Sequence, residues 1–428
     1  MAAGTAAGTA ASDVEVVIVG GGAAGVAAAK RLHRASVRCL LIEARGRLGG
    51  RAWTMQDAAG FALDHGCGWL HSAERNPWSA IAAELGLSID KSSPPWMKPP
   101  LETGFPHAAQ DEFRRALAQF FARMEEAAQR ADDVAAVTLL EPGGRWNGLI
   151  NSVGTYISGA DLDRLSVQDF DRYTDTGVNW RVREGYGTLV ARYGADLPTM
   201  LDCPVRGIDH GGRRLRIDTA KGVVTADQVI VAVPSAVLAA ERIGFTPALP
   251  TKIEAARGLP LGLADKFFMT LERAEEFDSD IRVFGRTDRS GTGGYHIRPF
   301  GRPQIEAYFG GRQAAELEAG GERGFFDFAV EELVSVFGSD FARRLKPIHV
   351  HAWGRDPFAL GSYSSALPGC ADNREILAAP VDGRVFFAGE ACSRHDFSTA
   401  HGAFLTGVDA ADKVIAARRA AHAVLQPK

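Results

Sequence analysis

Val16 to Val19, a run of branched apolar residues, leads directly into Gly20, Gly22 and Gly25 and then into an alanine-rich stretch that ends near Leu32. Four branched residues in a row read as a buried strand, and the alanines read as a helix. Glycines in the G-x-G-x-x-G spacing between them permit a tight turn, a close backbone approach to a pyrophosphate, and contact between helix and sheet. The N-terminus of the helix supplies partial positive charge at the same place. A second apolar run, Arg38 to Ile42, closes in Glu43, where a carboxylate accepts the ribose hydroxyls of an adenosine. Strand, turn, helix, strand and acid in this order confine the chain to an α/β fold that opens on a βαβ unit and binds a dinucleotide.

The next residues favour FAD over NAD. In RGRLGGRAWT a second glycine pair, Gly49 and Gly50, lets backbone pass beside a bulky cofactor. Arg45, Arg47 and Arg51 flank it, and Arg47 and Arg51 are placed to neutralise phosphate charge. A chain of 428 residues has room for two or three domains around such a ligand. Its formal net charge of −4 gives no excess with which to grip nucleic acid or an anionic membrane. The longest uncharged apolar stretch, Val16 to Ala29, falls short of the roughly 20 residues of a membrane span. The five cysteines (Cys39, Cys67, Cys203, Cys370, Cys392) are scattered and form no CxxC pair, which fits reduced thiols in a cytoplasmic setting. The leader MAAGTAAGTAASD has neither the basic start nor the apolar core of a secretory signal, and residues 1–12 read as a flexible tail.

Further along, Pro94, Pro95, Pro99, Pro100 and Pro106 mark a loop that leaves the first domain. Phe113, Leu117, Phe120, Phe121 and Met124 follow a helical period within a predicted helix from Gln110 to Ala136. Short runs from Val205 to Val233 predict a strand meander that ends in VIVAVP. Strands are expected at Ala264 to Leu271, Tyr295 to Arg298, Gln304 to Phe309 and Ile348 to Trp353, with a helix from Phe325 to Phe337 among them. A strand at Val385 to Ala388 and a helix from Ala400 to Leu425 close the chain.

From Val14 to about Ala420, eight segments follow one another in an order that resembles the flavin-containing amine oxidases, the group spanning monoamine and polyamine oxidases. They are VIVGGGAAG, EARGRLGGRAWT, DHGCGWLH, REGYGTL, VIVAVP, ADKFFMTLE, HAWGRDPFALGSYS and VFFAGEACSRHDFSTAHGAFLTG. The resemblance implies a Rossmann-like FAD domain built from three segments (13–73, 183–249 and 369–428). An α+β substrate domain (74–182 and 250–368) is inserted between them. It places Gly389 and Glu390 beside the pyrophosphate and ribityl chain, and Val205 at the adenine. Trp353 lies near the flavin, and the helix starting at Ala400 points at the pyrimidine ring. Lys266 matches the lysine that holds a water against flavin N5; on its strand it shares a face with Ala264, Phe268 and Thr270, a partly apolar surface. Tyr363 matches one wall of the aromatic cage, while Thr399 stands at the other wall, so half a cage is expected. His71 matches a position that faces the catalytic cleft. Ser362 stands where covalently flavinylated members carry cysteine, which implies that FAD is held non-covalently.

His65, Cys67 and His71, and also Cys392 and His395, lie close in sequence, but neither group supplies a full tetrahedral set, and no metal site is expected. The reading that follows is an FAD-dependent amine oxidase. Hydride passes from the carbon α to an amine nitrogen to flavin N5, and the imine is then hydrolysed. O2 or another acceptor takes the electrons. An aliphatic amine or polyamine ranks first as substrate, an aromatic monoamine second and an amino acid third. The rivals are an L-amino acid oxidase, an FAD-dependent desaturase, and a cofactor-free binding protein of the same fold.

Overall fold

The computed structural model describes residues 14–424, with side chains to residue 421, so the expected tail lies outside the described residues. Val16–Val19 is a fully buried strand, and it lies at the centre of a five-stranded parallel sheet. Its neighbours are Gln228–Val231 on one side and Cys39–Ile42 on the other, with Val385–Phe387 and Thr199–Met200 at the edges. Strands buried on both faces read as continuous apolar runs, which is why VVIV, CLLI and VFF stood out in the sequence. Helix Ala23–Arg34 packs against the closing helix Ala400–Val424, so closely that a Cβ on Gly407 would lie 2.1 Å from the Ala24 carbonyl oxygen.

The meander expected from Val205 to Val233 divides between two sheets. Val205–Asp209, Leu215–Thr219 and Gly222–Ala226 form an antiparallel set, and Gly244–Thr246 pairs parallel to its first strand. Gln228–Val231 leaves that set and joins the parallel sheet beside Val16–Val19. A side chain shows alternation along its own strand and not the identity of the partner strand, so the sequence could not separate the two.

A second five-stranded sheet is antiparallel throughout, in the order Ile281–Phe284, Gly294–Ile297, Gln304–Gly310, Ala264–Leu271, Leu345–Val350. Phe267, Met269, Ile305, Ala307 and Phe309 point from one face into a core shared with Phe325 and Leu333 of the helix Gly311–Phe337. Lys266, Phe268, Glu306 and Tyr308 therefore take the other face. The helix begins well before the expected Phe325 and is broken at Gly321, whose φ is +63°.

Two further boundaries differ from expectation. The helix predicted over Gln110 to Ala136 runs His107–Ala128. It stops because the Asp133 carboxylate accepts hydrogen bonds from Ser166 Oγ, Gln168 N and Gly369 N, drawing the backbone into a turn. The strand predicted over Ile348 to Trp353 is Leu345–Val350. Trp353 leaves the ladder because its backbone N–H is directed to Asp265 and its indole Nε1 donates to the His65 carbonyl oxygen at 3.0 Å. Among the described residues no helix is long and apolar enough to cross a membrane.

Candidate active site

At the end of the first strand Gly20 adopts φ +105° and donates its N–H to the Ile42 carbonyl oxygen at 2.8 Å. A Cβ on Gly25 would stand 1.8 Å from the Gly20 carbonyl oxygen, so only glycine lets the helix approach the turn this closely. Gly22 is the N-cap, no side chain caps the helix, and its first turn holds no acid. The leading N–H groups of Ala23 and Ala24 thus lack intrahelical partners and carry partial positive charge. The space beside them is open. A Cβ on Gly22 would meet only the Gly49 carbonyl oxygen, at 4.0 Å, and one on Gly389 only the Val233 carbonyl oxygen, also at 4.0 Å. Uncapped donors around open space form a cradle for an anion such as pyrophosphate.

The acid at the end of the second strand is built in. Glu43 is 4% exposed, and its carboxylate accepts from Gly21 N at 2.6 Å and Arg45 N at 2.8 Å, which fixes it against the glycine turn. The three arginines have protein partners. Arg45 reaches Asp356 Oδ1 at 2.5 Å, and Arg47 lies 4.7 Å over the Trp53 ring and donates to the Gly50 carbonyl oxygen. Burial pushes Arg47 down to about 10. Arg51 donates to Glu390 Oε1 and to the Ser362 carbonyl oxygen, each at 2.8 Å. Gly49, at φ +104°, donates to the Gly21 carbonyl oxygen, and Gly50 follows at φ +57°. Gly389 N donates to Thr406 Oγ1 at 3.0 Å, and the Glu390 carboxylate also accepts from Ser364 Oγ and Ser398 N. Val205 is buried at the start of its strand. Thr399 Oγ1 accepts from Gly402 N at 2.9 Å and so caps the closing helix, whose first residue is Ala400.

Lys266 departs from the sequence picture in one respect. On the face it shares with Phe268, its ammonium gains an acidic partner, Glu306 Oε1 at 3.1 Å, the two side chains being 7% and 20% exposed. The reason is register. Lys266 lies opposite Tyr308 and Phe268 opposite Glu306, so Glu306 is the diagonal neighbour of Lys266. Burial opposes the charge on Lys266, but Glu306 and then Asp64 outweigh it and hold the ammonium above the ordinary lysine value. Among the described residues Lys266 Nζ has no other hydrogen-bond partner, so two of its donors remain for a water or a ligand. Gly68 borders the ammonium, for a Cβ there would come within 2.9 Å of Nζ.

Tyr308 was not singled out from the sequence, yet it bears on the half cage. Its hydroxyl lies 2.9 Å from that of Tyr363, and the Tyr363 hydroxyl donates to the Tyr156 carbonyl oxygen. Thr399 caps a helix while Tyr308, from the antiparallel sheet, stands beside Tyr363. His71 Nδ1 faces Asn179 Oδ1 at 2.6 Å, and Asn179 Nδ2 donates to the Gly177 carbonyl oxygen. That second bond orients the amide, so His71 carries its hydrogen on Nδ1 and leaves Nε2 as an acceptor. Burial holds His71 below the ordinary imidazole range. Trp353 is buried, and Ser362 Oγ accepts from Ala264 N and donates to the Ala264 carbonyl oxygen, pinning the start of the lysine strand. All five cysteines are free, and among the described residues no cluster of three His, Cys, Asp or Glu side chains could hold a metal ion.

Comparison with known proteins identifies relatives along nearly the whole chain. The family described as flavin containing amine oxidoreductase matches residues 23–415. Polyamine oxidase 3 of Oryza sativa subsp. japonica is 30% identical over 93% of this chain and 88% of its own length. Probable polyamine oxidase 4 of Arabidopsis thaliana is 28% identical over 92% of this chain and 86% of its own. Lysine-specific histone demethylase 1 homolog 1 of Oryza sativa subsp. japonica is 31% identical over 96% of this chain, which spans 54% of that longer protein.

Proposed function

The chain belongs to the flavin-containing amine oxidoreductases, and from that premise we propose that it holds FAD without a covalent bond and oxidises an aliphatic amine or polyamine. The cofactor supplies a two-electron acceptor for the hydride on the carbon next to the amine nitrogen, and the imine product hydrolyses to a carbonyl compound and a smaller amine. Gly20, Gly22, Gly25 and the N–H groups of the first helix would hold the pyrophosphate, Glu43 the adenosine ribose, and Val205 the adenine. Gly49, Gly50, Gly389 and Glu390 would line the remainder, with Ala400 opening a helix whose positive end favours negative charge on the ring. The proposed division into domains follows: 13–73, 183–249 and 369–428 around the cofactor, 74–182 and 250–368 around the substrate. O2 or another acceptor completes the cycle, and a cytoplasmic location fits the scattered thiols.

The observation that carries this reading is Lys266, a buried ammonium with a single protein partner, on the sheet face that also presents Tyr308 to Tyr363. Such a lysine can hold a water at the reacting centre. Tyr363 and Tyr308 bound the slot in which the amine is oriented, and desolvation there favours the neutral amine that can release hydride. An amino acid substrate needs a cation for its carboxylate. Arg298 donates to the Phe277 and Gly301 carbonyl oxygens, and Arg312 pairs with Asp163, so both are engaged elsewhere.

The test is direct. Purified protein should show an oxidised flavin spectrum, and anaerobic mixing should bleach it with aliphatic amines or polyamines at lower concentration than with aromatic monoamines or amino acids. A flavin bleached most efficiently by an amino acid would overturn the substrate ranking, and protein without flavin that binds none when FAD is added would overturn the whole reading.

A further inference from the structure

Glu306 stands out once the lysine cleft is read for charge. Asp64, the other acid that acts on Lys266, is engaged at both oxygens: Oδ1 accepts from Thr54 Oγ1 and Gly187 N, and the Tyr186 N–H is shared between Oδ1 and Oδ2. Glu306 is not. One of its oxygens meets Lys266, and among the described residues the other has no hydrogen-bond partner, although a fifth of the side chain is exposed. A half-used carboxylate in a partly desolvated slot favours a cation and repels an anion. Its position on the strand adds a length. Glu306 and Tyr308 are two residues apart on one face, about 7 Å along an extended strand. A carboxylate that far from the Tyr308–Tyr363 slot suits a second nitrogen a few carbons from the one being oxidised.

We propose that Glu306 is a specificity-determining residue, its free oxygen receiving a second, protonated nitrogen of a di- or polyamine while the neutral nitrogen lies beside Tyr363. This rests on the amine-oxidising reading and names the substrate class within it. Besides Lys266, His296 and Arg181 act on Glu306 as cations, and both are also held by other carboxylates. His296 lies opposite Glu306 on the next strand, and its ring faces Asp280 Oδ1 at 2.8 Å. Arg181 spends its charge on Asp280 and Asp90, at 2.9 and 2.8 Å. Neutral His71 offers Nε2 as an acceptor to a further N–H of a longer chain.

The experiment compares 1,4-diaminobutane with 1-aminobutane on the flavin-loaded protein and on its Glu306→Gln and Glu306→Asp variants. Anaerobic flavin reduction gives a limiting rate and a half-saturating concentration, and the spectral change on ligand binding to the oxidised protein gives affinity without turnover. In Glu306→Gln the half-saturating diamine concentration should rise at least about tenfold, the loss of one charge-assisted hydrogen bond. The half-saturating monoamine concentration should stay within about twofold even where loss of the Lys266 partner lowers the limiting rate for both amines, and Glu306→Asp should restore part of the diamine preference. A change confined to the limiting rates, or half-saturating concentrations that move alike for both amines or for neither, overturns the proposal. Diamine binding that depends on Glu306 without any flavin reduction would keep the site and overturn the oxidation reading. Loss of flavin or folding in Glu306→Gln moves the test to Glu306→Asp, where equal affinity changes for both amines overturn it.

Discussion

A buried ammonium keeps its charge only if a carboxylate compensates for the water it has lost, and Lys266 with Glu306 is such a pair. If the two remaining donors of Lys266 hold the water at the reacting centre, Lys266→Met should slow flavin reduction or reoxidation at least about tenfold, equivalent to roughly 1.4 kcal/mol, while the flavin stays bound. Stopped-flow measurement of the two half-reactions checks this, and unchanged rates in both would leave Lys266 a purely structural residue. The two members of the pair were unequally legible. ADKFFMTLE marked Lys266 by its resemblance, and strand alternation gave it the correct companions on its own strand. Glu306 lies in QIEAYFG, where one acid in an apolar strand reads as a solvated edge. Only the register between the two strands, which depends on the turns between them, brings it to the ammonium. Tyr308 was hidden in the same way.

Elements were legible where burial on both faces writes itself as an unbroken apolar run, as in Val16–Val19, and their ends were lost where a tertiary hydrogen bond decides them, as Asp265 does for the strand before Trp353. Asp265 also couples three elements. It lies on the lysine strand, fully buried, and accepts from Trp353 N at 3.3 Å, while Glu318 of the helix Gly311–Phe337 accepts from Gly354 N at 2.7 Å. Burial, and then the negative charge of Glu318, push Asp265 well above the ordinary carboxyl range. Its Oδ2 has no hydrogen-bond partner in the described structure, so no donor is present there to stabilise the ionised form. The folded state then binds a proton that the unfolded chain releases. This stabilisation is complete below the ordinary carboxyl range and is lost as pH rises through the raised folded value. Urea unfolding across a pH series should show stability falling with rising pH in that window. Asp265→Asn, which needs no proton, should flatten the fall, and equal slopes in the two proteins would show that Asp265 ionises normally.

At the scale of the whole molecule, one buried polar chain ties together segments far apart in sequence. Asp169 and Arg374 form a two-point ion pair at 2.6 and 2.7 Å with both side chains 0% exposed; Arg374 continues to Ser364 Oγ, Ser364 to Glu390, and Glu390 to Arg51. The groups that border the glycine cradle are therefore positioned by protein contacts. A thioether to the flavin needs a thiolate, and the thiols here are poorly placed to form one. Ser362 offers a hydroxyl that is already engaged with Ala264. Burial pushes Cys39 up to about 11 and Cys392 up to about 12, and raises Cys67, the cysteine of DHGCGWLH, further still. The flavin should thus be dissociable: acid precipitation should leave the yellow colour in the supernatant. A ligand that binds only the folded chain stabilises it by mass action, so the Tm of flavin-depleted protein should climb with added FAD and continue to climb above the dissociation constant, by about 2.7 kcal/mol of stability at a hundredfold excess over it. Colour that remains in the pellet would mean that the cofactor is anchored by a bond the thiol chemistry of this chain does not predict, and a Tm indifferent to added FAD would mean that the chain does not bind it.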